Sequence, residues 1–188
     1  MLLPIVAYGD TVLRQKCKNI DTHYEGLHTL IDNMWQTMYK AEGVGLAAPQ
    51  IALPIRLFIV DTLPFEEKKK KDSNFKGFRK VFINAEILEK SGQPWGFEEG
   101  CLSIPGIREE VFRPETIRMR YLDEHLTEHT DSFDSLNARV IQHEYDHIEG
   151  ILFIDHLKSL KKKLLQPKLQ KISRGIVSTD YKMRFPNR

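Results

Sequence analysis

Gln142 to His147 reads QHEYDH and places two histidines, His143 and His147, four residues apart. On an α-helix that spacing puts both imidazoles on one face, close enough to share a metal ion. Glu144 is rotated off that face. It is poorly placed as a ligand but within reach of a water beside such an ion. Leu136, Val140, His143 and His147 recur at i, i+4, i+7 and i+11, a stripe that turns the histidines inward with core residues. Buried imidazoles and a neighbouring carboxylate need partners, and a metal supplies them. A catalytic site of this kind has three protein ligands and an open position for water, so a third ligand must be found.

Downstream the chain offers little. There is no Glu after Glu149. The longer pattern H-E-x-x-H-x-x-G-x-x-H is matched as far as Gly150, but its last position is Phe153, which cannot bind a metal. Asp155, His156 and Asp180 remain, with no motif around them. Upstream, Glu98 to Ser103 reads EEGCLS and places Cys101 between Gly100 and Leu102, in a Gly- and Pro-rich segment expected to link strands. Cys is a strong ligand once deprotonated, and a nearby divalent cation lowers its pKa. Cys101, His143 and His147 would make a Cys-His₂ site with a fourth position open.

The elements that must hold these residues are legible in part. Leu27, Leu30, Ile31, Met34 and Met38 recur at helical spacing within a helix expected over Asp21–Glu42 and ended by Gly43. Strands are expected over Ile55–Asp61 and Lys80–Glu89, with the charged stretch between them an exposed loop. Over Glu115–Asp123, Ile117, Met119 and Tyr121 alternate with outward Arg118 and Arg120. A further strand is expected over Leu126–Phe133, and the histidine helix over Ser135–Glu149 with Gly150 as its stop. A basic helix should begin near His156 and be kinked or ended by Pro167. Strands in a block flanked by helices imply an α+β fold, antiparallel sheets around a central helix carrying the HExxH pattern, with a C-terminal helix.

The 188 residues suit one domain with a sizeable core, and 41% hydrophobic residues exclude a disordered chain. No apolar run is long enough to span a membrane, and the start, MLLPIVAYGD, lacks the basic region of a signal peptide. A cytoplasmic monomer is expected. Free thiols are expected at Cys17 and Cys101, with Cys17 an ordinary surface or half-buried one. Charge is uneven: residues 157–188 hold ten Lys or Arg and one acid, Asp180, leaving the body with 18 basic and 25 acidic residues. The basic tail is a solvated helix face or a contact for RNA. Residues 1–157 are expected to form the catalytic domain and 158–188 a basic helix and tail.

Three segments together, GVGLAAPQ (Gly43–Gln50), EGCLS (Glu99–Ser103) and QHEYDH, resemble the peptide deformylase family in wording and order. The resemblance implies removal of the N-formyl group from nascent chains that begin with formyl-methionine. It implies Glu144 as the base that takes a proton from water and passes it to the leaving amine. The Gln50 amide and the Leu102 backbone N–H are implied as donors to the developing oxyanion. Val44 and Gly45 inherit pairing with substrate main chain. Glu99, Gly100 and Arg108 inherit positions in the substrate cleft, and Phe97, Leu136 and Val140 are the expected methionine pocket. The ion implied is Fe(II), with Zn(II), Ni(II) or Co(II) able to replace it; the ligands themselves suit all four. Some relatives dock on the ribosome through a C-terminal helix, which Lys158, Lys161, Lys162 and Lys163 would allow here. Ala52 stands where relatives usually show Gly, so a slightly altered turn is expected. The lysine-rich stretch Lys68–Lys71 reads as a loop longer than the family's minimum. Two rivals remain: another metallohydrolase with the same helix, separable by substrate, and a metal-stabilised binding module, which would close its metal with four protein ligands.

Overall fold

The computed structural model describes every residue except 22, 69–74 and 187–188. Its elements are β1 (Ile5–Val6), α1 (Leu27–Lys40), β2 (Gly45–Ala47), β3 (Leu57–Asp61), α2 (Leu63–Lys68), β4 (Arg79–Ser91), β5 (Trp95–Cys101), β6 (Ile104–Arg113), β7 (Thr116–Leu122), β8 (Glu128–Asp134), α3 (Ser135–Ile148), α4 (Ser159–Ser173) and β9 (Met183–Arg184). Short 3-10 turns cover Thr11–Arg14, Ala48–Ile51 and Phe153–His156. Helices are thus mixed with antiparallel sheet, and three sheets form. A five-stranded one runs β2-β3-β4-β7-β8, β5 pairs with β6, and β1 pairs with β9 in parallel.

The larger sheet lies between two helices. Leu57 and Ile59 of β3 join Met34 and Met38 of α1 in one core cluster, whereas Phe58 and Val60 join Val140 and Ile141 of α3 in another. Successive side chains of a strand point to opposite faces, which is why Leu57 to Val60 is an unbroken apolar run. In β7 the expected alternation holds: Ile117, Met119 and Tyr121 are buried, and Arg118 and Arg120 are exposed. Residues of α3 pack against β2, β3, β7 and β8. Its end is a left-handed Gly150 (φ 74°), with the Ile151 N–H donating to Asp146 O.

Several expectations are corrected. Helix α1 starts at Leu27, after a left-handed Gly26, and its left-handed exit is Glu42. Gly43 serves a different need: a Cβ there would stand 2.9 Å from Leu102 Cδ1. The charged stretch after β3 opens with α2; Lys69, Lys70 and Lys71 lie outside the described residues. Cys101 does not lie between strands but ends β5, in a hairpin that its glycines and glutamates disguise. Pro167 does not end α4, which continues to Ser173. Its exposed position leaves the orphaned carbonyl one turn back open to water. Cys17 is buried, not half-exposed, and burial pushes its thiol up to about 11.

Ala52 adopts φ 70°, the left-handed region that disfavours a Cβ. The turn therefore keeps a glycine-type conformation with alanine in it. Ala52→Gly is expected to stabilise the fold by about 0.5–1 kcal/mol, read as a raised urea midpoint at unchanged slope.

Candidate metal centre

Two elements bring the three donors together. Helix α3 presents His143 and His147 with ring centroids 5.2 Å apart, and β5 delivers Cys101 at its end. One ligand atom from each lies within 4.8 Å of the others, and Cys101 Sγ is 3.3 Å from His147 Nε2. Donors about 2.0–2.3 Å from a common ion sit at comparable separations, so the residues fit a single divalent cation. Asp155 and His156 are engaged elsewhere: Asp155 pairs with Arg14, and His156 Nε2 is 2.7 Å from Asp146. Phe153 stacks beside His143.

Glu99 orients the site. Its Oε2 is 3.0 Å from His143 Nδ1, which turns the other ring nitrogen, Nε2, free for an ion. The same carboxylate accepts two hydrogen bonds from Arg113, at 2.7 and 3.0 Å, and one from Arg139 at 3.0 Å. Arg113 also donates to Asp146 at 2.7 Å. Burial alone would raise the Glu99 carboxyl; hydrogen bonds from His143 and Arg113 outweigh it and hold the group far below its usual range. Burial likewise disfavours a charged Asp146, but His156 and Arg113 keep its pKa low. Glu99 thus enters the cleft wall mainly as a buried anchor, a role the sequence did not disclose. Arg113, Arg139 and Asp146 were not foreseen as site residues either. Asp146 sits inside the motif, whereas no local pattern marks the two arginines.

Glu144 is 4% exposed, and its Oε2 has no hydrogen-bond partner among the described residues. Burial pushes its carboxyl up to about 7, against the pull of His143. Burial, followed by repulsion from His143, lowers His147 well below an ordinary histidine, toward the neutral form that binds metals. Gln50 is also buried. Its Oε1 accepts from Ala47 N–H at 2.8 Å, which turns its Nε2 toward Cys101 Sγ (3.5 Å) and Ser103 Oγ (3.3 Å).

A cleft of about 880 Å³ opens over these groups, bordered by Val44, Gly45, Gln50, Phe97, Glu99, Gly100, Cys101, Leu102, Arg108, Val140, His143 and Glu144. Leu136 is not on this border. It is buried one helical turn before Val140. Gly100 pairs with Arg108 and Cys101 with Ile104, so β6 bulges by three residues just where it meets the cleft. Arg108 lies 4.0 Å from Glu98 at the exposed rim. Gly45 has no room for a side chain: a Cβ would lie 2.3 Å from Glu144 Oε1. Gly45→Ala is expected to displace that carboxylate and cut turnover by roughly 10²-fold with metal content unchanged; kinetics and metal analysis on one preparation check it.

Two imidazoles, a cysteine sulfur and a buried carboxyl group beside an open groove are the equipment of a metal-dependent hydrolase. The sequence pattern described as polypeptide deformylase matches residues 2–163. The chain belongs to the polypeptide deformylase family. It is 56% identical to a peptide deformylase of Christiangramia forsetii across all of this chain and 97% of that one. It is 51% identical to one of Flavobacterium johnsoniae, over 98% and 96%. Among solved structures it is similar to a peptide deformylase from Legionella pneumophila, with 38% identity, TM-score 0.79 and coverage of 94% and 98%. It is also similar to that of Thermus thermophilus, with 36% identity, TM-score 0.80 and coverage of 93% and 99%.

Proposed function

We propose that this chain removes the N-formyl group from the formyl-methionine that begins newly made polypeptides, releasing formate and a free amino terminus. The observation that carries this reading is the buried Glu144 carboxyl, unpartnered at Oε2, beside the Cys101–His143–His147 donor set. One divalent ion per chain would be held by those three residues, leaving a position for water. When bound, it lowers the pKa of water and polarises a carbonyl.

The chain's own groups supply the rest. Glu144 takes a proton from the attacking water and passes it to the leaving amine. The Gln50 amide and the Leu102 N–H donate to the formyl oxygen as charge develops on it. Strand β2 is at the sheet edge, paired on one side with β3. Its other side, at Val44 and Gly45, serves an extended peptide as an added strand. Phe97 and Val140 supply apolar wall for a thioether, and Gly100 and Arg108 line the path of the following residues. Formate release from formyl-Met-Ala-Ser by protein loaded anaerobically tests the assignment. No formate, with cleavage of unblocked peptides, would identify another metallohydrolase instead.

Fe(II) is the proposed resident ion, with Zn(II), Ni(II) or Co(II) as substitutes; activity and metal analysis after parallel loading rank them. Cytoplasmic residence and a monomeric state complete the proposal; no described helix is long and apolar enough to cross a membrane. Residues 1–157 are proposed as the catalytic body and 158–188 as the basic tail that meets the ribosome. Two of the tail's lysines have other partners: Lys161 binds Glu109 at 2.7 Å, and Lys162 donates to Asp155 O at 2.6 Å. Removing the tail would take away Leu165, Leu169 and Ile172 and uncover the Val6, Leu13 and Ile104 side chains that share their core cluster. A Lys158→Glu, Lys163→Glu variant tests the idea without exposing core. Ribosome pelleting at low salt should fall in the variant and, for the unaltered protein, with added salt.

A further inference from the structure

The turn Leu102–Ser103, which joins β5 to β6, is gripped by segments remote from it in sequence. Tyr8 N–H donates to Ser103 O at 2.8 Å, and Tyr181 Oη–H donates to Leu102 O at 2.8 Å. Tyr181 packs against the same core cluster as Leu102 and α1. Its own backbone is fixed as well: Thr179 Oγ1 donates to Tyr181 O at 2.8 Å, and β9 then pairs with β1. Arg184 binds Asp10 at 3.1 Å beyond it. Ser178 to Tyr181 line the cleft. Tyr181 and its neighbours in this tail lie past the 2–163 span that matches the family pattern.

We propose that Tyr181 is a positioning residue for the oxyanion donor at Leu102. The inference rests on the reading that Leu102 N–H donates to the formyl oxygen. Leu102 N–H belongs to one peptide plane and Leu102 O to the next, with the Leu102 Cα as the hinge between them. Cys101, a metal ligand, anchors the first plane from its far side. Tyr181 anchors the second. With both planes held, the N–H direction is set before substrate arrives, which is the condition under which a donor lowers a barrier without reorganising. Without the Tyr181 hydroxyl the second plane is free to rock, and the N–H loses its aim while packing and metal ligands stay in place.

Tyr181→Phe removes the hydroxyl and keeps the ring. It is expected to lower kcat about tenfold, since a misdirected donor weakens transition-state binding. KM for formyl-Met-Ala-Ser should stay within about twofold, and metal content and melting temperature should match those of the unaltered protein. Gln50→Ala, measured alongside, calibrates the oxyanion site. If Gln50→Ala loses roughly 10²-fold or more in kcat while Tyr181→Phe loses nothing, the positioning role is wrong and the oxyanion reading stands. If neither variant changes kcat, the oxyanion reading itself falls. A Tyr181→Phe variant that loses metal or raises KM as much as it lowers kcat would make the tyrosine a structural prop and overturn the proposal. Should that variant misfold, Thr179→Val, which loosens Tyr181 from the tail side, must show a smaller loss confined to kcat; an unchanged kcat there would overturn the proposal.

Discussion

Glu144→Gln is expected to keep its ion, because the three ligands are elsewhere, and to lose about 10²–10⁴-fold in turnover. Glutamine fills nearly the same volume under Gly45, so packing at the closest approach changes little. What it cannot do is accept a proton from water and return it to the amine. The carboxyl it replaces is buried, and burial raises its pKa above the usual carboxylate range. Metal analysis and steady-state kinetics on a single preparation decide the matter: near-normal turnover with a full complement of ion would remove Glu144 from the mechanism.

Arg113→Ala is expected to cost about 3–5 kcal/mol of stability, the scale of breaking one side of a buried ion pair. Arg113 is 4% exposed and holds Glu99 and Asp146 together. Its loss leaves two buried carboxylates, with Arg139 still on Glu99 and His156 still on Asp146. Because Glu99 also orients His143, ion affinity should fall about 10–100-fold in the same variant, as when a metal ligand loses its outer partner. Urea unfolding with and without added metal checks both parts. A loss below about 1 kcal/mol would mean that water reaches and screens the pair as it does at a surface.

The sequence disclosed most where one segment carries its own signal. The inward stripe of α3 and the alternation of β7 are periodic, and the donors Cys101, His143 and His147 sit inside short motifs. It disclosed least where meaning is made across the fold. Hairpin β5–β6 was hidden because Gly96, Gly100, Pro105 and Gly106 read as loop, and because Glu98 faces Glu110 and Glu99 faces Glu109 across it. The Glu99–Glu109 pair persists because its partners come from elsewhere: Arg113 and Arg139 for Glu99, Lys161 for Glu109. Glu99 borders the cleft, and its contacts with Arg113, Arg139 and His143 add a role that no local pattern announces. Leu136 shares a stripe with His143, but a stripe specifies a helix face and not how far along it an opening extends. Tyr181 had no motif to announce it.

Parallel pairing of β1 with β9 joins Ile5 and Val6 to Met183 and Arg184. A ribosome building this chain supplies the earlier strand long before the later one. The candidate donors Cys101, His143 and His147 are all made when His147 emerges, some thirty residues before Tyr181. The residues are thus made in a fixed order, the candidate donors before the tyrosine that holds their neighbouring turn. Closing so long a span costs only slowly growing entropy, and the step is delayed by translation more than by thermodynamics.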